Sequence, residues 1–196
     1  DTTPKAIFVS AFRDMPLAGD FDFEVKGQET DFQTGITALS KIAQVNVGIS
    51  SKSQNETLRN LKDATVTAWQ GPCPAANVGV HVNHLCPVNK GEVVWTVDPV
   101  AVIFIGRLLN TGKVDLRRTI AVAGSEVVEP HYVDALVGTP LKAILEGNVR
   151  DGAVGIINGK PLTGRKDSLG GYLGAHSSEV TVIPEGDDAD EMLGWI

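Results

Sequence analysis

The chain is nearly without cysteine. Its 196 residues hold only Cys73 and Cys86. Two thiols do not make a disulfide framework, so stability has to come from a buried core, and a reduced, cytoplasmic setting fits. Blocks of lysine or arginine are also missing: 17 basic residues against 24 acidic ones give a formal charge of −7. Nucleic-acid phosphates are neutralised by clustered cations, so no nucleic-acid partner is expected. The same charge opposes direct adhesion to anionic lipid. No apolar run approaches the ~20 residues that cross a bilayer, and Val100–Ile105 is far too short. Any membrane connection therefore runs through a partner, with no direct span. No signal peptide is expected. The chain opens Asp1-Thr2-Thr3-Pro4-Lys5 and runs straight into a strand-like stretch, as a piece of a longer protein would.

A phosphate loop is absent as well. Lys5–Ser10 suits a buried strand. In a dinucleotide-binding fold the next residues would be G-x-G-x-x-G, whose backbone N–H groups meet a pyrophosphate. Here they are SAFRDMPLAGD, and Asp14 and Asp20 would repel phosphate. No G-x-S-x-G elbow surrounds Ser10 or Ser125, and no nucleophile with a placed base is evident, so the reading assigns no catalytic residue.

What is present is an alternation of strands and helices. A Thr30–Gln33 capping box opens a helix whose apolar face is Phe32, Ile36, Leu39 and Ala43. Val45, Val47 and Ile49 alternate as a strand. A second capping box, Ser53–Glu56, precedes Leu58 and Leu61, and Ala64–Trp69 reads as the next strand. Gly71, Pro72 and Pro74 then force a turn. A long polar loop bearing His81, Asn83, His84 and Cys86 follows. Val93–Val97 leads to Asp98-Pro99, an N-cap followed by a good first helical residue. The helix is apolar on all sides over Val100–Ile105, which predicts deep burial, and Gly112 can close it in the left-handed conformation. Thr119–Gly124 reads as one more buried strand. Strands alternating with helices imply a mainly parallel sheet with crossovers. Residues 1–124 are therefore expected to form a Rossmann-like α/β domain without the dinucleotide fingerprint.

The pattern changes after Gly124. Ser125–Val137 reads as two short strands around Pro130, Leu141–Leu145 as a short helix closed by Gly147, and Ala153–Asn158 as a strand. A small α+β module of the β-grasp, ubiquitin-like type is expected over 125–178. Glu179–Pro184 reads as a further strand. The acidic turn Asp187–Glu191 then precedes Leu193, Trp195 and Ile196, expected to pack back on the core within a segment 179–196. Trp69 and Trp95 are also expected in the core.

Cys73, His81, His84 and Cys86 offer two sulfurs and two imidazoles within 14 residues, the right donors for tetrahedral zinc. Their spacing, C-x7-H-x2-H-x-C, matches no standard finger, and a structural role in the loop is the favoured reading. No metal is assigned; these four are the residues that would hold one. A quinone carbonyl needs a donor and an apolar wall, and His81 or His84 with Trp95 would supply both. Gly170–Gly174 is read as a hairpin or a close backbone contact rather than a phosphate cradle. Arg117 and Arg118 are read as solvated or paired with acidic residues. Asp14, Asp20 and Asp22 are read as a solvated loop.

The words GPCPAANVGVHVNHLCPVNKGEVVWTV, KAIFVSAFRDMPLAGDFDF and EMLGWI resemble the NqrA family of sodium-translocating NADH:quinone reductases, over nearly the whole chain. The chain departs from the family at Cys73, often a histidine there. More distantly, it is similar to one subunit of a ferredoxin-linked ion-pumping complex and to the flavin-binding subunit of respiratory complex I. The resemblance implies a peripheral subunit on the cytoplasmic face of the bacterial inner membrane. It implies a pump that passes electrons from NADH to ubiquinone or menaquinone and exports sodium. FAD, FMN, riboflavin and an iron–sulfur cluster would be carried elsewhere in that complex, and none is expected on this chain. Expected partners are the other subunits, chiefly a membrane subunit, with quinone as a further contact. The alternative is a module that binds its own flavin or quinone in the cleft between its two parts.

Overall fold

Short runs rich in valine and isoleucine make the first layer. In the computed structural model, which describes residues 2–186, four strands form one sheet: β1 (Ile7–Ser10), β2 (Val45–Ser50), β3 (Thr65–Trp69) and β4 (Trp95–Val97). Their order is β3-β2-β1-β4, and every pairing is parallel. Parallel neighbours require crossovers. These carry α1 (Phe21–Glu24), α2 (Glu29–Ser40), α3 (Glu56–Arg59) and α4 (Val78–Leu85), and α5 (Pro99–Thr111) follows β4.

Ile7, Val9, Val45, Val47 and Ile49 belong to one core, where Phe32, Ile36 and Leu39 of α2 and Val102 and Ile103 of α5 cover them. Two glycines let these helices touch. A Cβ on Gly35 would lie 2.2 Å from the Val102 carbonyl oxygen, and one on Gly106 would lie 1.7 Å from that of Asp31. Asp98 caps α5, accepting from the N–H groups of Val100 and Ala101 at 2.9 and 3.3 Å. Gly112 closes it at φ +70°.

Several expectations change. The helix after Gly27 starts at Glu29 with Gln28 as an N-cap whose side chain makes no capping bond. Gln33 is drawn away from any capping box. Its amide donates to the Lys62 carbonyl and accepts from the Lys62 N–H, tying α2 to the turn before β3. Asn55, not Ser53, caps α3, through Leu58 N. The stretch read as a polar loop is helix α4, capped by Asn77. α5 is not buried all round, because Ala101, Phe104 and Ile105 are half-buried.

The strand expected at Thr119–Gly124 leaves the first layer. It is β5 (Arg117–Ala123) and joins β6 (His131–Leu136), β7 (Val154–Asn158), β8 (Arg165–Asp167) and β9 (Glu179–Pro184) in a second sheet of order β6-β5-β9-β7-β8. β5 and β9 run parallel and the remaining pairs antiparallel. Helix α6 (Leu141–Leu145) packs Leu141, Ile144 and Leu145 on Ile120, Val122, Ile156, Val180 and Val182. This mixed sheet with one helix is the expected β-grasp-like module, and β9 is an interior strand of it. Only one strand, β6, forms in 125–137, while Val127 makes an isolated bridge to Val149. Arg118 is not solvated: it is buried, donating to the Ala175 carbonyl and the Ser178 hydroxyl at 2.8 and 2.6 Å.

Two compact units result among the described residues, one running to Met15 and over Asp20–Leu116, the other comprising Pro16–Gly19 and residues 117–186. The expectations for Asp187–Glu191, Leu193, Trp195 and Ile196 lie outside the described residues. Among the described residues no helix is long and apolar enough to cross a membrane.

Candidate functional site

Open α/β sheets bind ligands at the carboxyl ends of their strands. In the first unit that edge is taken by the chain's own turn 71–77. Ser10, the last residue of β1, donates its hydroxyl to the Ala76 carbonyl at 2.8 Å. The Ala76 N–H donates to the Asp14 carboxylate at 2.8 Å. His81 Nε2 lies 2.8 Å from the Ala75 carbonyl. A carbonyl only accepts, so Nε2 carries the proton and Nδ1 the lone pair. Asp14 therefore binds a backbone N–H of the turn, rather than standing in a solvated loop.

α4 presents His81 inward, where it is 1 % exposed. Its ring is stacked on Trp69, centroids 4.3 Å apart and planes at 13°, and on Phe12 at 5.8 Å with the same tilt. Gly48 makes room: a Cβ there would lie 2.4 Å from Cε1 and 2.6 Å from Nδ1. Nδ1 and Trp69 Nε1 are buried without a hydrogen-bond partner. Both atoms are closed to solvent. Burial pushes the His81 pKa below its usual value, and the Ala75 carbonyl and the Asp14 charge oppose that only in part. His81 is thus a neutral brace under the turn.

The loop after β1 holds a second internal pair. Arg13 meets Glu24 bidentately at 2.7 and 2.9 Å, with side chains 8 % and 2 % exposed. Asp20, one of the three aspartates expected in a solvated loop, caps α1 through Asp22 N. Sequence spacing gives no sign of the Arg13–Glu24 pair.

The four metal-ligand types do not converge. Cys73 and Cys86 are free thiols, one exposed and one half-buried. Among the described residues no three His, Cys, Asp or Glu side chains gather as a metal would require. His84 is exposed; its Nδ1 donates to the Val80 carbonyl at 2.8 Å. It stands edge-on to Trp69 at 5.6 Å and 83°. Trp69 is half-buried. Trp95 is 40 % exposed on β4. β4 is the opposite edge strand from β3, three strand spacings or roughly 14 Å away, so the structure joins both histidines to Trp69 and neither to Trp95.

In the second unit, Gly170–Gly174 is a close contact. A Cβ on Gly171 would lie 2.1 Å from the Asp167 carboxylate. Asn158 holds the loop by donating to the Tyr172 carbonyl and accepting from Gly174 N.

Comparison with known proteins agrees with this division. Residues 1–114 match the family described as "NqrA second alpha/beta domain", and residues 119–168 match "NQRA C-terminal domain". The chain is 33 % identical over 199 residues to the NqrA subunit of the Na(+)-translocating NADH-quinone reductase of Pasteurella multocida. It is 34 % identical over 198 residues to that of Serratia proteamaculans. Both alignments take in the whole chain and 44 % of the relative, so the chain spans less than half the length of these relatives. A solved NAD+-reducing [NiFe]-hydrogenase superposes with a TM-score of 0.60 over 93 % of this chain and 41 % of its own, at 12 % identity. That likeness concerns the fold alone.

Proposed function

The chain belongs to the NqrA family, and we propose on that basis that it serves as a docking and coupling part of a sodium-translocating NADH:quinone reductase. The observation that carries this reading is the closed ligand edge. The turn 71–77 is bonded to Ser10, Asp14 and His81 where a nucleotide would sit, and Arg13 faces Glu24 instead of a phosphate. A fold retained while its ligand edge is filled suits assembly better than redox chemistry. In this reading FAD, FMN, riboflavin and the iron–sulfur cluster reside on other subunits. The partners are those subunits, chiefly a membrane subunit, and the location is peripheral, at the cytoplasmic face of the bacterial inner membrane.

The test is to express the pump with this region deleted from its NqrA subunit. The expected result is loss of NqrA from the purified complex, with NADH oxidation by an artificial acceptor retained. Full assembly and coupled quinone reduction without the region would overturn the reading.

A second reading, contact with quinone, has one observation in its favour. His84 is exposed beside the Trp69 indole, and its Nε2 is left available once Nδ1 is bonded to Val80. A polar group next to an aromatic wall suits a quinone ring. His84→Ala would then raise KM for quinone while leaving NADH oxidation unchanged; an unchanged KM would sink this reading. His81 is too buried for such a contact.

A further inference from the structure

We infer that the turn 71–77 is a strap across the strand ends, seated while His81 is neutral and released when His81 takes up a second proton. The strap has little apolar hold. None of residues 71–77 belongs to the apolar core of its unit, and residues 71–74 and Asn77 are exposed. Its ties to the sheet are polar and reach Ala75 and Ala76. The Ser10 hydroxyl and the Asp14 carboxylate hold Ala76, and His81 Nε2 holds Ala75. Helix α4 follows directly from its Asn77 cap, and His81 is the one buried residue of that helix. A single titratable side chain therefore anchors both the helix and the turn before it. Within the turn, the Ala75 N–H donates to the Pro72 carbonyl and the Asn77 N–H to that of Pro74, so the turn keeps its own shape when it lifts.

The pocket around the ring suits imidazole and not imidazolium. With Nε2 already protonated, a second proton goes to Nδ1. That atom is closed to solvent and has no acceptor, and Trp69 Nε1, likewise without a partner, is a donor. The two lie 2.6 and 3.1 Å from the point where a Cβ on Gly48 would stand. A buried cation with an unused N–H is unfavourable, and the group escapes by moving into water. The groups that act on the ring come from four segments. Phe12 and Asp14 follow β1, Gly48 is in β2, Trp69 ends β3 and His84 lies on α4. The aromatic faces and the Asp14 charge favour the cation, His84 opposes it, and none of them accepts from Nδ1. Burial outweighs the rest and favours the neutral ring. Swinging His81 outward relieves the cation, breaks the bond to Ala75 and takes the first turn of α4 along. That bares Ser10 and the ends of β1 and β2, where open α/β sheets take their ligands. Proton uptake and opening are then one equilibrium, and each pH unit below about 6.5 favours the open form by up to roughly tenfold.

Amide exchange in full-length NqrA tests this, with each rate divided by that of an unstructured peptide at the same pH. The Ala76 N–H, bonded to Asp14, reports on the strap. The Ile7 N–H, bonded to the Gln44 carbonyl, reports on the sheet. From about pH 7.5 to 5.5, Ala76 should lose protection several-fold, up to about tenfold, while Ile7 keeps its own. His81→Phe and His81→Gln both remove the titration, one keeping an aromatic ring and the other a donor for the Ala75 carbonyl. In either variant Ala76 should be protected alike at the two pH values. Asp14→Asn keeps an acceptor for the Ala76 N–H without the carboxylate, and there the response should persist. Equal losses at Ala76 and Ile7 would mean global unfolding, and an unchanged Ala76 would mean a fixed turn. A response that survives the His81 substitutions, or vanishes in Asp14→Asn, would place the switch elsewhere. Each of these results overturns the inference and leaves the docking reading, which assembly of the pump decides, standing.

Discussion

Gly48→Ala is the sharpest probe of the brace beneath the turn 71–77. Gly48 lies in β2 at a φ outside the left-handed region that would favour glycine, so alanine meets no backbone strain there. By propensity alone the change would stabilise the strand by about 0.5–1 kcal/mol. The new methyl, however, would lie 2.4 Å from His81 Cε1, 2.6 Å from Nδ1 and 3.1 Å from Trp69 Nε1. His81 is held by its bond to Ala75 and by the Trp69 and Phe12 rings stacked with it, so it gives way only by disturbing those contacts. Overpacking of this kind costs about 1–3 kcal/mol. The net expectation is a loss of about 1–2 kcal/mol, or roughly 2–8 °C in Tm for a chain of this size. Urea unfolding followed by tryptophan fluorescence measures it. Repeating the change in a His81→Ala background supplies the control. With the imidazole gone the penalty should vanish, leaving a coupling of about 1–3 kcal/mol between the two sites. An equal cost in both backgrounds, or no cost in either, would refute the packing of Gly48 on His81.

The remaining predictions are quickly checked. Gly106→Ala should destabilise by more than about 1 kcal/mol although alanine is the better helix former by about that amount, because its Cβ would meet the Asp31 backbone; chemical denaturation reads the sign. Glu24→Ala should cost about 3–5 kcal/mol by stranding a buried arginine, whereas Arg13→Met with Glu24→Leu should recover much of it; paired urea curves decide. Asp98→Ala should cost about 1 kcal/mol through loss of the α5 cap, measured the same way. His81 binds its proton less readily in the fold than in the unfolded chain, so unfolding at mildly acidic pH takes up a proton. Its contribution is therefore whole above about pH 6.5 and diminishes as pH falls below that value. Urea midpoints between about pH 7 and 5 should fall less steeply for His81→Phe than for the parent.

The features legible in the sequence are those set by neighbours along the chain. Asp98-Pro99 and Gly112 mark α5 at both ends, and the β-branched runs mark β1, β2 and β3. α4 is hidden because Val78, Val80 and Val82 alternate with Gly79 and His81, which does not look like a helical stripe, though Asn77 is a usable cap signal. Only one of its residues, His81, is buried, so no apolar face announces it. The strand pattern assigns β5 to the first sheet, wrongly, because its parallel partner β9 comes far later in the chain, beyond any local pattern. The site depends still more on distance. Phe12, Gly48, Trp69 and His81 come from four separate segments, and nothing in the spacing of the two histidines distinguishes the brace from the exposed ring. Arg13 and Glu24 are 11 residues apart across an irregular loop, which no periodicity connects.

The absorbance spectrum of the purified chain, taken before and after incubation with excess FMN and removal of the unbound portion, tests most directly whether the α/β layer has exchanged ligand binding for assembly. With turn 71–77 seated on the strand ends, no flavin band should be retained in either sample. A stoichiometric band that survives washing would contradict the account and restore the reading in which this chain carries a cofactor of its own.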